Sequence, residues 1–203
     1  MDYFEIKGGK RLAGSIDVRG SKNATTPILA ATLLTDEPCT ISNVPLIEDV
    51  FRMLEIISGL GASVDWIGER KVKICAKNID PKRLDMHLVK QLRSSILLLG
   101  SLSARFNSFS FYHPGGCVIG KRPVGTHFDA LEKLGVRIAN ADEKTYIINS
   151  KGKKAAHVVL KEFSVTATEN AMMLAAAISG KTTIKIAASE PHVEDLGKFL
   201  ISM

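Results

Sequence analysis

"GSKNATTPILAATLLTDEPCTISNVPLIEDVFRMLEIISGLGASVDW", residues 20–66, holds the plan of the fold. It opens on a small, polar turn and passes into an apolar helix rich in Ala and Leu. A short β-branched strand, "CTIS", comes next, then a loop and a second helix with an acid, Asp49, near its start. The run "LGA" then leads into another strand. The same order recurs in residues 90–138, "KQLRSSILLLGSLSARFNSFSFYHPGGCVIGKRPVGTHFDALEKLGVRI", with "SFSFY" as the strand and Asp129 as the acid. It recurs again in residues 163–203, "FSVTATENAMMLAAAISGKTTIKIAASEPHVEDLGKFLISM", with "TTIKI" and Asp195. The first two units run on through a tight turn, "IGER" or "NADEK", into a returning strand. A period of roughly 70 residues in this order predicts β-α-β-α-β-β units packed about a shared centre. Strands and helices mix in each unit, so the class is α/β or α+β.

Gly61 and Gly135 close the first two units, and the matching glycine of the third would fall just after Met203. The third unit is thus expected to lack its closing strands, and the chain to be the N-terminal portion of something longer. The alternative is a compact domain that ends on the helix of residues 193–202. At the other end, "MDYFEIKGGKRLAGSIDVRG", residues 1–20, has early acids and alternating apolar positions, and reads as a strand hairpin rather than a signal peptide.

With 203 residues, 45% hydrophobic and 24% charged, the chain has material for a core without staples. The net charge is +6, but the cations are scattered and no basic stripe is interleaved with aromatics. No nucleic-acid partner is expected; small anions such as phosphates and carboxylates suit this balance better. The longest apolar run, "SILLLGSLSARF", is too short and interrupted to span a bilayer. Cys39, Cys75 and Cys117 lie far apart with no CxxC pairing, which argues against a disulfide framework and against zinc, and for a reducing cytoplasm. No metal and no cofactor are expected.

Three stretches carry candidate chemistry. In "HPGGCVIGKRP", residues 113–123, Gly115, Gly116 and Gly120 free the backbone to turn N–H groups toward an anion, and Lys121 and Arg122 add positive charge. Cys117 sits among them, where cations and aligned amides tune a thiol. A glycine-rich turn with a small apolar cysteine reads as well on these residues alone. A tyrosine-phosphatase loop does not fit: it needs five residues between Cys and Arg, and Cys117 and Arg122 have four. In "RGSKNATTPILAATLL", Lys22 stands at a Gly-Ser turn that enters a helix, with Asn23 as cap and Pro27 in the first turn. The Walker spacing is absent, and alone Lys22 reads as a solvated lysine on a capped helix. In "VKQLRSSILLLGSL", Arg93 lies in the first turns of an apolar helix and alone reads as a snorkelling side chain. The repeat, however, gives Lys22, Arg93 and Ser164–Thr166 equivalent places. Three equivalent helix starts around one centre converge, so these residues should face one site.

The segments "GSKNATTPILAATLLTDEP", "NVPLIEDV", "LRSSILLLG", "PGGCVIGKRPVGTH" and "FSVTATENAMM" resemble, in order and over the whole chain, the UDP-N-acetylglucosamine 1-carboxyvinyltransferase family of enolpyruvyl transferases. The shikimate-pathway enolpyruvyl transferases share that fold and a similar lysine turn but no such cysteine loop; 3-phosphoshikimate is the alternative acceptor. A non-catalytic UDP-sugar-binding half is the alternative role. The resemblance implies an inside-out α/β barrel with two domains of three β-α-β-α-β-β units each and substrates in the cleft between them. Residues 1–20 would be strands of the second domain, and 21–203 the first domain, incomplete at its C-terminus.

The reaction it implies is transfer of the enolpyruvyl group of phosphoenolpyruvate to the 3′-hydroxyl of UDP-N-acetylglucosamine. This is the first committed step of peptidoglycan synthesis, performed in the cytoplasm by a chain that needs its second half-domain and is a monomer at full length. By the same resemblance Lys22 would bind phosphoenolpyruvate, Asn23 would contact the substrates, and Arg93 and Arg122 would neutralise phosphate and carboxylate. Cys117 would be the general acid and the thiol alkylated by fosfomycin. Pro123, Val124, Gly125 and Thr126, with Ser164, Val165 and Thr166, would hold the uridine and diphosphate. Two positions depart from the family pattern. Gly125 in "RPVGTH" replaces an Asp, removing a carboxylate near the base, and Thr166 in "SVT" replaces a Gly, adding bulk near the diphosphate.

Overall fold

In the computed structural model, which describes residues 3–115 and 123–203, the repeat takes the form of helices and hairpins. Unit one comprises α1 (Lys22–Ala31), β1 (Cys39–Ile41), α2 (Glu48–Gly59), β2 (Ser63–Gly68) and β3 (Lys71–Cys75). A short 3₁₀ turn (Pro81–Arg83) and α3 (Met86–Gln91) lead to unit two. This begins with a 3₁₀ turn (Arg93–Leu97) running into α4 (Leu98–Arg105), followed by β4 (Ser108–Tyr112), α5 (Gly125–Lys133), β5 (Arg137–Asn140) and β6 (Thr145–Asn149). Unit three has β7 (His157–Val159), α6 (Val165–Ala176), β8 (Thr183–Lys185) and α7 (Pro191–Ser202).

Units one and two build matching antiparallel sheets, β1-β3-β2 and β4-β6-β5, while β7 and β8 pair in parallel. The central strands alternate as a one-sided sheet requires: Val72 and Ile74 of β3, and Tyr146 and Ile148 of β6, point into the core. The expected leading strand of each unit forms only in unit three, as β7. Ahead of unit two the chain is helical instead. Pro81 begins the 3₁₀ turn, Asp80 caps it through Lys82 N, and Asp85 caps α3 through the amides of His87 and Leu88. Ahead of unit one, residues 3–20 form neither helix nor strand, so the predicted hairpin is not made. Tyr3, Phe4, Ile6, Leu12, Ile16 and Val18 are 85–97% exposed, and a two-stranded ribbon with no apolar surface beneath it has little to hold it.

The glycines that close the units behave alike. Gly61 and Gly135 have φ of +109° and +88°, and a Cβ on them would come within 2.7 Å of Asn78 O and 2.1 Å of Gly152 O. The surrounding bonds repeat one for one. Ala62 N donates to Ile57 O as Val136 N does to Leu131 O, and Asp80 N to Leu60 O as Lys154 N does to Leu134 O.

The first helix of each unit lies inside. All of α4 except Arg105 is buried, and α6 crosses it closely at Gly100, where a Cβ would be 2.6 Å from Asn170 O. The second helices lie outside and join the units. α2 packs on α1 and on the Arg93–Leu97 turn, α5 packs on α6, and α7 packs on α6 and back on α1. The three units therefore close into a ring of contacts, with the starts of the inner helices gathered together. No helix among the described residues is long and apolar enough to cross a membrane.

Candidate functional site

Two of the three inner helices begin identically. The Ser21 side chain accepts from Ala24 N and its carbonyl from the Thr25 hydroxyl (2.8 Å); the Ser164 side chain accepts from Ala167 N and its carbonyl from the Thr168 hydroxyl (2.8 Å). The signal is Ser-x-x-Ala-Thr, present at 21–25 and again at 164–168. The cap of α1 is therefore Ser21 and not Asn23, which lies inside the helix, and Pro27 falls in its second turn. Just ahead of the cap, Gly20 lies against Asn43, whose carbonyl oxygen would be 1.9 Å from a Cβ there. The middle start differs: Arg93 opens a 3₁₀ turn without a side-chain cap.

The three starts open into one cavity of about 650 Å³. Lys22 and Asn23 line it from α1, Arg93 and Ser94 from unit two, and Ser164, Val165 and Thr166 from α6, with Pro123 beside them. The convergence expected from the repeat is thus the observed geometry. Val124, Gly125 and Thr126 do not reach the wall. Val124 is buried, Gly125 opens α5 with no atom within 4 Å of a Cβ, and the buried Thr126 hydroxyl donates to Glu162 Oε1 (2.5 Å). Cys117 and Arg122 lie outside the described residues.

Lys22 Nζ bonds Asp49 Oδ2 at 2.7 Å, with both side chains nearly half exposed. A pair so placed contributes at most about 1 kcal/mol, so the lysine remains available to an anion. Arg93 Nη1 donates to Pro114 O (3.3 Å), tying the helix start to the stem of the cysteine segment. Its charge is felt by its neighbours. Burial first, and then Arg93, lowers His113 below the usual imidazole range, and the same two causes hold His127 at about 4. Both imidazoles are thus neutral near pH 7. His113 Nδ1 lies 2.7 Å from the Tyr146 hydroxyl, and His127 Nε2 lies 2.7 Å from Thr166 Oγ1. The Thr166 hydroxyl therefore links α6 to α5.

Sequence reasoning did not assign His127, Glu162, Glu169, Glu190 or His192 to this wall, yet all line it. Glu169 is the most unusual, an acid 1% exposed on a helix that is otherwise mostly apolar. Burial first, and then the charge of Glu190, raises its carboxyl to about 8. Among the described residues, Ser94 Oγ, His127 Nδ1, Glu169 Oε1 and Glu190 Oε2 are buried without a hydrogen-bond partner, and all four residues line the cavity. No cluster of three or more potential metal ligands occurs among the described residues.

A ring of repeated units around convergent helix starts, with lysine and arginine facing one cavity, defines a known class. Residues 6–203 match the EPSP synthase family (3-phosphoshikimate 1-carboxyvinyltransferase), and the chain belongs to that family. It is 44% identical over 200 residues to the UDP-N-acetylglucosamine 1-carboxyvinyltransferase of Bradyrhizobium diazoefficiens, covering 98% of this chain and 46% of that protein. It is 41% identical over 202 residues to the protein of that name from Helicobacter acinonychis, covering 100% and 48%. The chain spans about half the length of the curated relatives it matches.

Among solved structures, the enolpyruvyl transferase NikO from Streptomyces tendae matches with a TM-score of 0.81 at 21% identity, over 96% of this chain and 45% of that one. EPSP synthase from Acinetobacter baumannii matches with a TM-score of 0.67 at 19% identity, over 89% and 42%. These likenesses show the enolpyruvyl transferase fold, the inside-out α/β architecture expected from the sequence. Here it is built from small separate sheets, with no closed barrel among the described residues.

Proposed function

We propose that this chain supplies one half of the active site of a cytoplasmic transferase that moves the enolpyruvyl group of phosphoenolpyruvate to the 3′-hydroxyl of UDP-N-acetylglucosamine. Phosphate is released, and the product is the first committed intermediate of peptidoglycan synthesis. The observation that carries this reading is the convergence of Lys22, Arg93 and the capped start of α6 on one cavity. Cations and helix N-termini aimed at a shared space favour phosphate and carboxylate groups. The relatives that align along the whole chain are named for this reaction.

In the reaction the sugar hydroxyl attacks C2 of phosphoenolpyruvate while C3 gains a proton, and the tetrahedral adduct then loses phosphate and a C3 proton. Lys22, Arg93 and Arg122 stabilise the charge on phosphate and carboxylate. Cys117 delivers the proton to C3, and is the thiol that fosfomycin alkylates. Asn23 positions the substrates, while Pro123 and Ser164–Thr166 contact the UDP moiety. Val124, Gly125 and Thr126 act from behind the wall, through the Thr126–Glu162 bond. The general base comes from a second domain, to which residues 1–20 also belong as strands. The exposure of the alternating apolar side chains between Tyr3 and Val18 supports that assignment.

The family description itself favours a second reading, with 3-phosphoshikimate as the acceptor. Calorimetric titration of the chain with UDP-N-acetylglucosamine and, separately, with shikimate 3-phosphate tests both. Heat from the nucleotide sugar alone is expected. Heat from shikimate 3-phosphate alone transfers the chain to the second reading, and heat from neither overturns the cavity as the substrate site.

A further inference from the structure

The wall of the cavity poses an electrostatic problem. Among its described residues are four carboxyl groups, Asp49, Glu162, Glu169 and Glu190, and two permanent cations, Lys22 and Arg93. With every acid ionised, that wall would repel the anions its helix starts attract. Asp49 is matched by Lys22, and Glu162 accepts the Thr126 hydroxyl. Glu169 and Glu190 have no such partner on their orphan oxygens. Burial first, and then the charge of Glu190, favours the protonated form of the Glu169 carboxyl. The more buried of the two is Glu169, which leaves it with an O–H to donate.

We infer that Glu169 is a ligand-binding residue of this cavity, donating a hydrogen bond from its neutral carboxyl to an anionic oxygen of the bound substrate. A buried polar group without a partner costs about 1–3 kcal/mol, so an acid on the inner face of α6 is poorly suited to a purely structural part. His127, 5% exposed, lines the same cavity and is bonded through Nε2 to Thr166 Oγ1. The oxygen that Glu169 meets belongs to a phosphoryl or carboxylate group, which both the nucleotide sugar and phosphoenolpyruvate carry.

The charged and titratable groups sharing the cavity with Glu169 are Lys22 of α1, Asp49 of α2, Arg93 of unit two, His127 of α5, Glu162, Glu190 at the start of α7 and His192 of α7. Of these, His127 is already neutral above about pH 4 and does not titrate where Glu169 does. Loss of the Glu169 proton near pH 8 removes the donor and adds a negative charge, so binding weakens there.

This rests on the function proposed above, and the test separates the two. Calorimetry is run on the chain at several pH values from 6 to 9, with UDP-N-acetylglucosamine and with phosphoenolpyruvate in separate arms. Affinity for at least one ligand is expected to fall about tenfold between pH 7 and pH 9, with a proton taken up on binding. The arm that shows the fall identifies the oxygen. Glu169→Gln, which keeps a donor and cannot ionise, is expected to bind as the wild type does at pH 7 and to lose the fall. Glu169→Ala is expected to bind more weakly at both pH values, with thermal unfolding confirming that it is folded. Binding whose pH dependence is the same in wild type and Glu169→Gln overturns the role of Glu169 and leaves the function standing. No binding of either ligand at any pH overturns the function itself.

Discussion

A methyl group added at Gly135 would meet the Gly152 carbonyl at 2.1 Å, on backbone whose φ of +88° disfavours any side chain. Gly135→Ala is therefore expected to lower stability by about 2 kcal/mol or more. Gly59 is the contrasting case: it is the last residue of α2, and nothing lies within 4 Å of a Cβ there. Gly59→Ala should raise stability by about 0.5–1 kcal/mol. Urea midpoints at unchanged slope measure both. The two closing glycines were legible in the sequence because they recur after a leucine at matching points of a repeat. Glu169 was not, since an acid in the first turns of a helix ordinarily complements the helix dipole from the surface. Its burial arises from α7 and unit two, which approach from other parts of the chain. Ile186, a β-branched residue with φ of +58°, carries no sequence mark at all.

At the scale of the elements, one polar side chain stitches the packed join between α4 and α6. Asn170 is fully buried; its Oδ1 accepts from Gly100 N (2.6 Å), and its Nδ2 donates to Ile96 O (3.1 Å) and Thr166 O (3.0 Å). Asn170→Ala strands these groups and is expected to lower stability by about 2–4 kcal/mol, read from chemical unfolding. Asn170→Asp should not rescue it, because two carbonyls would then face a carboxylate. The sequence gives the inner helices their apolar content and their common starting points, and convergence on one centre followed from that. What it hid were the partners: His127 and Thr166 are 39 residues apart, and Asn170 and Gly100 are 70 apart. The hairpin expected in residues 1–20 rested on period-two alternation alone. That pattern describes a face that needs a surface to cover, and the described residues provide none.

For the molecule as a whole, two buried groups set opposite trends with pH. His127, lowered from 6.5 to about 4, contributes stability above 6.5 that is lost as pH falls through 4. Glu169, raised from 4.5 to about 8, contributes stability that is complete below 4.5 and lost as pH rises through 8. Between pH 6.5 and 8 only the second trend acts, so of this pair Glu169 alone makes the chain less stable at 8 than at 6.5. Urea midpoints of Glu169→Gln across that interval should be flatter than those of the wild type; parallel profiles would show that the carboxyl is not held neutral. The return of α7 to α1 has a further consequence. In an open array of repeats, stability adds up from neighbour to neighbour and the ends fray. A ring has no end repeat, and loosening α7 uncovers both the first unit and the third while carrying Glu190 and His192 away from the cavity. Melting is therefore expected to be a single transition in which the binding wall and the hydrophobic interior are lost together, read as coincident unfolding curves from ligand binding and from far-UV circular dichroism.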